Sequence, residues 1–272
     1  MDSRPASGRH WGMPETAPQS PVPPHPAATL ILLRDGIEGL ELLVMERHPG
    51  LRFAAGATVF PGGRLEAMDH DPLWRRHWLD GEPPADLGHR VAALRECVEE
   101  CGVLLSRNPL ASGALDDLRC TLAAGEGFAA ALTRVGAVPA LDRMVPLARW
   151  VTPEMLPRRF DTRFYLAPAP EGQQPVCDGS EAVATLWASP CRLLREAGAG
   201  QRRLVYATRM TLLRLAGCAD VAAAMACALP GRELPPPIVP QLAESASGPV
   251  LRIPEGCGFS PLETPAEHAR LG

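Results

Sequence analysis

Between Leu87 and Gly102, in LGHRVAALRECVEECG, apolar residues recur at helical spacing and the run stops on a glycine. Val91, Leu94 and Val98, with Val103 just beyond the stop, mark one side, and charged residues fall between them. A glycine after the last periodic residue is a common helix terminator, because it takes the left-handed conformation without a Cβ clash. Such a helix must bury its stripe against another layer, and the strand-like segments before it supply one. AATLILLRDG and LELLVMERH read as a hairpin turning around Asp35 to Gly39. A third strand is expected at ATVFPGG, where Pro61, Gly62 and Gly63 end regular pairing.

The rest of the chain continues the alternation. A second helix is expected over Gly113 to Val135, strands at TRFYLA and SEAVATLWASP, and a helical stretch from Gln201 to Leu229 broken near Gly217. A short strand-like patch, PVLRI, follows among prolines and glycines. This pattern predicts one α/β domain over 26–200 and a helical carboxyl-terminal appendage over 201–272 packed on it. Residues 1–25, rich in proline, serine and glycine, are expected to form a disordered tail.

Bulk properties exclude several classes. A formal charge of −4 over 272 residues gives no broad cationic surface for long nucleic acid or anionic membrane. VAAAMACAL, at 221–229, is too short to span a bilayer. The amino-terminal segment has no apolar core region of the secretory kind, so a cytoplasmic location is expected. Eight cysteines are too sparse for a disulfide scaffold and read as reduced thiols.

On the helix, Glu99 and Glu100 follow Glu96 by three and four residues, so they share a side with it. Crowded carboxylates suit a hard divalent ion that also accepts phosphate oxygens, and they equally suit a solvent-facing acidic helix; local spacing leaves both readings open. Arg95, four residues before Glu99, can pair with it. Cys97 and Cys101 lack a second ligand pair and fit the packed side.

The pieces GGRLEAMD and RECVEECGV together resemble the signature of the Nudix hydrolases, in which a glycine opens a loop and R-E-x-x-E-E-x-G follows on a helix. Gly63, Arg95, Glu96, Glu99, Glu100 and Gly102 match it. Asp69 stands where the usual box has glutamate, and Arg95 lies 18 residues later than the usual spacing from Gly63. The excess, an insertion at about 70–89, is polar, carries Trp74 and Trp78, and is expected to loop out. RHPGLRFAAGATVFPGG is similar to the segment preceding the box in coenzyme A diphosphatases, and the long box resembles their acyl-coenzyme A branch.

The resemblance implies an α/β/α sandwich around a mixed sheet, with the extended box loop and helical appendage added. It also implies hydrolysis of the diphosphate of coenzyme A or a thioester, with Mg²⁺ or Mn²⁺ held by Glu96, Glu99 and Glu100. Glu99 and Glu100 are then the catalytic carboxylates, Arg95 their anchor and Glu181 an auxiliary base. Arg47, Arg52, Gly62, Gly63, Arg158, Arg159 and Arg163 are the substrate-binding candidates, and Trp150 is a candidate for an acyl-channel wall or adenine stacking. Trp74, Trp78 and Trp187 are candidates for the same wall or stacking role, with ordinary packing as the alternative for each tryptophan. The same metal site would serve ADP-ribose, a dinucleoside polyphosphate or a nucleoside triphosphate. A non-catalytic ligand sensor on the same fold is the reading of another class. Monomer and homodimer are both open.

Overall fold

The computed structural model describes residues 22–51, 54–228 and 234–266. The order begins with β1 His25–Gly36, β2 Gly39–Arg47, β3 Ala57–Val59 and β4 Gly62–Arg64. Helices α1 Leu87–Cys101, α2 Ala114–Ala123 and α3 Phe128–Arg134 follow. Then come β5 Val145–Val151, β6 Phe160–Pro168, β7 Ala182–Ala188, α4 Pro190–Gly198, β8 Arg203–Leu204, α5 Tyr206–Leu215 and α6 Val221–Ala226. The described chain ends with β9 Pro237–Ile238, β10 Gln241–Ser245, β11 Gly248–Arg252 and β12 Glu263–Pro265.

Among the described residues, nine strands form one mixed sheet with β1 at its centre, in the order β8-β3-β2-β1-β6-β5-β9. The far end of β1 pairs antiparallel with β2, its near half antiparallel with β4, and its other edge, from His25 to Leu33, parallel with β6. β7 joins β2 in antiparallel register. The run of apolar residues in β1 has a simple cause: both faces of this strand are covered. Leu30 and Leu32 enter a core shared with α1, α2 and α3. Ile31 and Leu33 enter a second core shared with α4, α5 and α6. The molecule is the α/β/α sandwich around a mixed sheet that the family resemblance implies.

Two expectations change. The box insertion is not simply looped out, because two 3-10 turns, Ala67–His70 and Pro72–His77, fold it onto α1. Trp74 and Trp78 are buried in the α1-side core. Trp74 packs on Phe128 with ring centres 5.7 Å apart and donates its indole N–H to the Met68 carbonyl at 2.9 Å. Large aromatic surfaces repay burial, so these two side chains pull an otherwise polar connection inward. The carboxyl-terminal appendage, expected to be helical, is so only through α6; beyond it β10, β11 and β12 form a separate antiparallel sheet. The short apolar run Val250–Leu251, with prolines and glycines around it, favours strand there over helix. The expected tail lies outside the described residues as far as residue 21.

Candidate active site

The reactive side of α1 is organised by Arg95, which is 3% exposed. Its Nε and Nη2 donate to the two carboxylate oxygens of Asp69, at 3.1 and 3.0 Å, in a forked pair. Nη2 also donates to the Arg64 carbonyl at 3.0 Å, and Nη1 to Glu96 at 2.9 Å and Glu99 at 3.3 Å. Burial disfavours the guanidinium charge, yet the Asp69 hydrogen bond and the charges of Glu96, Asp69 and Glu99 raise its pKa. Asp69 and Arg95 are 26 residues apart in sequence and meet directly, so the extra length is bridged at its base.

Gly62 and Gly63 lie against the same helix. The Gly62 N–H donates to Glu100 Oε2 at 2.8 Å. A Cβ on Gly63 would fall 2.4 Å from the Glu96 carboxyl carbon, and one on Gly62 would fall 2.4 Å from the Ala28 carbonyl oxygen. Only glycine lets β4 approach both α1 and β1 this closely. Gly102 ends the helix at φ 66°, in the left-handed region.

The three glutamates all hold their protons more tightly than free carboxyls. Burial raises Glu96 to about 7, aided by the charges of Glu99 and Glu181 and opposed by Arg95. Glu99 is raised by burial against the pull of Arg95. Glu100 is pushed well above the carboxylate range by burial and by Glu96, against the Gly62 N–H and Arg47. Its Oε1 is buried without a hydrogen-bond partner. No three His, Cys, Asp or Glu side chains among the described residues already converge as a metal cage. Arg95 engages Glu96 and Glu99, and Gly62 engages Glu100. Cys97 and Cys101 face the core, where burial pushes both thiols up.

Two cavities meet at Glu96 and Glu181. The larger, about 450 Å³, is lined by Arg47, Gly62, Gly63, Arg64 and Arg158 and by an apolar wall that includes Trp150 and Phe164. The smaller, about 340 Å³, holds Glu96, Glu99, Glu100, Asp178, Glu181 and Arg119. Arg47 bridges them, 3.8 Å from Glu100 and 3.7 Å from Glu181. Glu181 comes from the loop before β7, where Asp178 accepts its backbone N–H and where its own carbonyl accepts the His48 N–H.

Arg47, Gly62, Gly63, Arg158, Glu96, Glu99, Glu100 and Glu181 are therefore brought together, and Arg95 holds the group from behind. Two substrate-binding expectations do not fit. Arg159 is buried and donates to the carbonyls of Thr152 and Val22. Arg163 alternates with the cavity-lining Thr162 and Phe164 along β6 and so points to the opposite face of the sheet, near His89 and Asp161. Arg52 lies outside the described residues. Trp150 belongs to the cavity wall, where Tyr206 and Phe259 meet its ring edge to face at 5.9 and 5.0 Å. Arg64, Asp178 and Arg119 were not legible as site residues. Arg64 directly follows the paired glycines, which was a usable signal, whereas Arg119 sits in an unremarkable helix.

The family model of the NUDT19 Nudix domain matches residues 75–201. Human acyl-coenzyme A diphosphatase NUDT19 is 29% identical over 231 residues, covering 66% of this chain and 58% of that protein. The chicken protein of the same name is 28% identical over 207 residues, covering 55% of this chain and 54% of that one. The crystal structure of a NUDIX hydrolase from Alicyclobacillus acidocaldarius is 30% identical with a TM-score of 0.64, covering 75% of this chain and 96% of that one. The chain belongs to the Nudix hydrolase superfamily. Within it, the chain is similar to the NUDT19 branch, though the match spans less than three fifths of those relatives' length.

Proposed function

We propose that this protein hydrolyses the diphosphate of coenzyme A or an acyl-coenzyme A, with Mg²⁺ or Mn²⁺, to adenosine 3',5'-bisphosphate and phosphopantetheine or its acyl form. The observation that carries the proposal is the junction of an acidic cleft with a larger, mostly apolar cavity at Glu96 and Glu181. A diphosphate fits the first part, and a long uncharged arm fits the second. Similarity to the two NUDT19 diphosphatases supports the same reading.

Glu96, Glu99 and Glu100 would hold the ion. Their hard oxygen donors, their mutual repulsion and the buried Glu100 Oε1, which has no hydrogen bond, are features that a divalent cation satisfies. When bound, such an ion supplies Lewis-acid activation of the diphosphate and of the attacking water. Arg95, fixed by Asp69, sets the directions of Glu96 and Glu99. Gly62 and Gly63 allow the diphosphate close to the backbone, and Arg47 stands between the two cavities to receive a phosphate oxygen. Arg158 lies on the wall of the larger cavity. Glu181, exposed enough to meet solvent, is the auxiliary base that takes a proton from water.

Mass spectra of products from coenzyme A, a thioester, ADP-ribose, a dinucleoside polyphosphate and a nucleoside triphosphate test this reading. Adenosine 3',5'-bisphosphate and phosphopantetheine are expected. Turnover confined to the other substrates would replace the assignment, and binding without any turnover would favour a sensor.

A further inference from the structure

We propose that Arg119, carried by α2 outside the box, is a substrate-contacting residue that binds the diphosphate in the acidic cleft. The inference rests on the proposed diphosphate site and adds a residue that the family signature does not contain. The cleft of about 340 Å³ is lined by five acidic side chains, Glu96, Glu99, Glu100, Asp178 and Glu181, and Arg119 is the one cation among its lining residues.

Arg119 is placed by a specific packing event. Its side chain crosses the carboxyl end of α1 over Gly102, where a Cβ would stand 3.1 Å from Arg119 Cδ and 3.3 Å from Nε. The glycine that stops α1 thus also opens the path by which α2 sends a guanidinium into the cleft. That guanidinium is weakly engaged. It reaches Asp116, one turn earlier on α2, at 4.0 Å, and Asp116 is 81% exposed. Its hydrogen bond to the Cys177 carbonyl is long, at 3.4 Å. No ion pair links it to any of the five acids around it. A planar fork with free donors in a cavity fitted for a diphosphate is suited to two phosphate oxygens. Arg47 stands on the other side of Glu100 and Glu181, so the two guanidiniums flank the acidic group.

The competing role is structural, as a counter-ion to the acids or a tie to the Cys177 carbonyl. The two roles differ in sign. If Arg119 receives phosphate, its removal weakens anion binding while the cleft, now more negative, takes a divalent cation as well as before or better. Titration of the full-length protein with Mn²⁺ alone, and then with imidodiphosphate at saturating Mn²⁺, separates them.

For Arg119→Gln, imidodiphosphate affinity is expected to fall by about ten- to a hundredfold, the worth of one or two charge-assisted hydrogen bonds. Its Mn²⁺ affinity should be equal or higher, with little change in melting temperature. Arg119→Lys should recover part of the loss. Unchanged imidodiphosphate affinity would overturn the proposal, as would parallel loss of Mn²⁺ and anion binding with a lowered melting temperature. Wild-type protein that binds Mn²⁺ but not imidodiphosphate would overturn it as well. A protein that binds imidodiphosphate through Arg119 and leaves coenzyme A intact would lose the substrate assignment and keep this one.

Discussion

The direction of each box glutamate depends on a residue beside it. Asp69 grips Arg95 through two hydrogen bonds, and Arg95 passes that fixity to Glu96 and Glu99. Asp69 is a methylene shorter than the glutamate usual at its place, and the 3-10 turn at Ala67–His70 brings its carboxylate within reach. Glu100 is held separately, by the Gly62 N–H. Glu99→Gln and Glu100→Gln keep side-chain shape and remove a charge from the proposed metal site, so each should lower metal-dependent turnover by at least about a hundredfold. Circular dichroism should show both variants folded; near wild-type rates in both would remove the metal role from these carboxylates.

A second residue-scale consequence lies at the other end of α1. His89, in the first turn of α1, has its pKa lowered to about 4 by burial and then by the Arg163 charge, against Asp86 and Asp161, with His70 adding to the lowering. Between about pH 6.5 and 4 the unfolded chain binds a proton there that the folded chain refuses, so stability falls as pH is lowered through this window. The raised glutamates act with the opposite sign, so the comparison must be made against a variant. Between pH 7 and 4.5, wild-type unfolding free energy should fall by about 2 kcal/mol more than that of His89→Gln. Parallel urea-unfolding curves at the two pH values would show that His89 is not the cause.

At the scale of elements, the insertion is the informative case. Its polar composition pointed to a surface loop, and half of it is exposed, but Trp74 and Trp78 anchor it. Trp74→Ala should cost about 3–5 kcal/mol by chemical denaturation, while Trp74→Phe should cost much less. A loss under about 1 kcal/mol for the alanine variant would mean that the segment is only loosely attached. The same contrast explains what was legible. The β1–β2 hairpin, α1 and its stop at Gly102 follow from periodicity and turn chemistry, and the chain obeys both. The association of the glycine pair with the glutamates of α1 was carried by a family signature. Arg163 lies in β6, where a one-residue difference in register reverses the face a side chain takes, whereas Arg159, just before β6, is spent on the carbonyls of Thr152 and Val22. Of the late strands, PVLRI was legible and became β11, while β10 and β12 were not, because proline and glycine mark interruptions without saying what lies between them.

At the scale of the whole molecule, the sheet is a shared wall between two cores, and the segment after residue 200 supplies much of the second. Leu204, Tyr206, Met210, Leu212, Leu215, Ile238, Leu251 and Phe259 pack with Ile31, Leu33, Leu42 and Val44. Tyr206 and Thr208 also line the larger cavity, with Trp150 held between Tyr206 and Phe259. The matched family segment, 75–201, omits both this cover and strands β1 to β4, which carry Arg47, Gly62 and Gly63. A full-sized apolar side chain contributes about 1.5–3 kcal/mol on burial, so baring one face of the sheet removes more than the 5–15 kcal/mol by which a domain is usually stable. A chain shortened to residues 1–200 should lose cooperative unfolding, bind a hydrophobic dye and show no metal-dependent turnover. Cooperative unfolding with retained turnover would make the appendage an independent addition; the interlocked aromatic contacts around Trp150 argue that it completes both the core and the cavity.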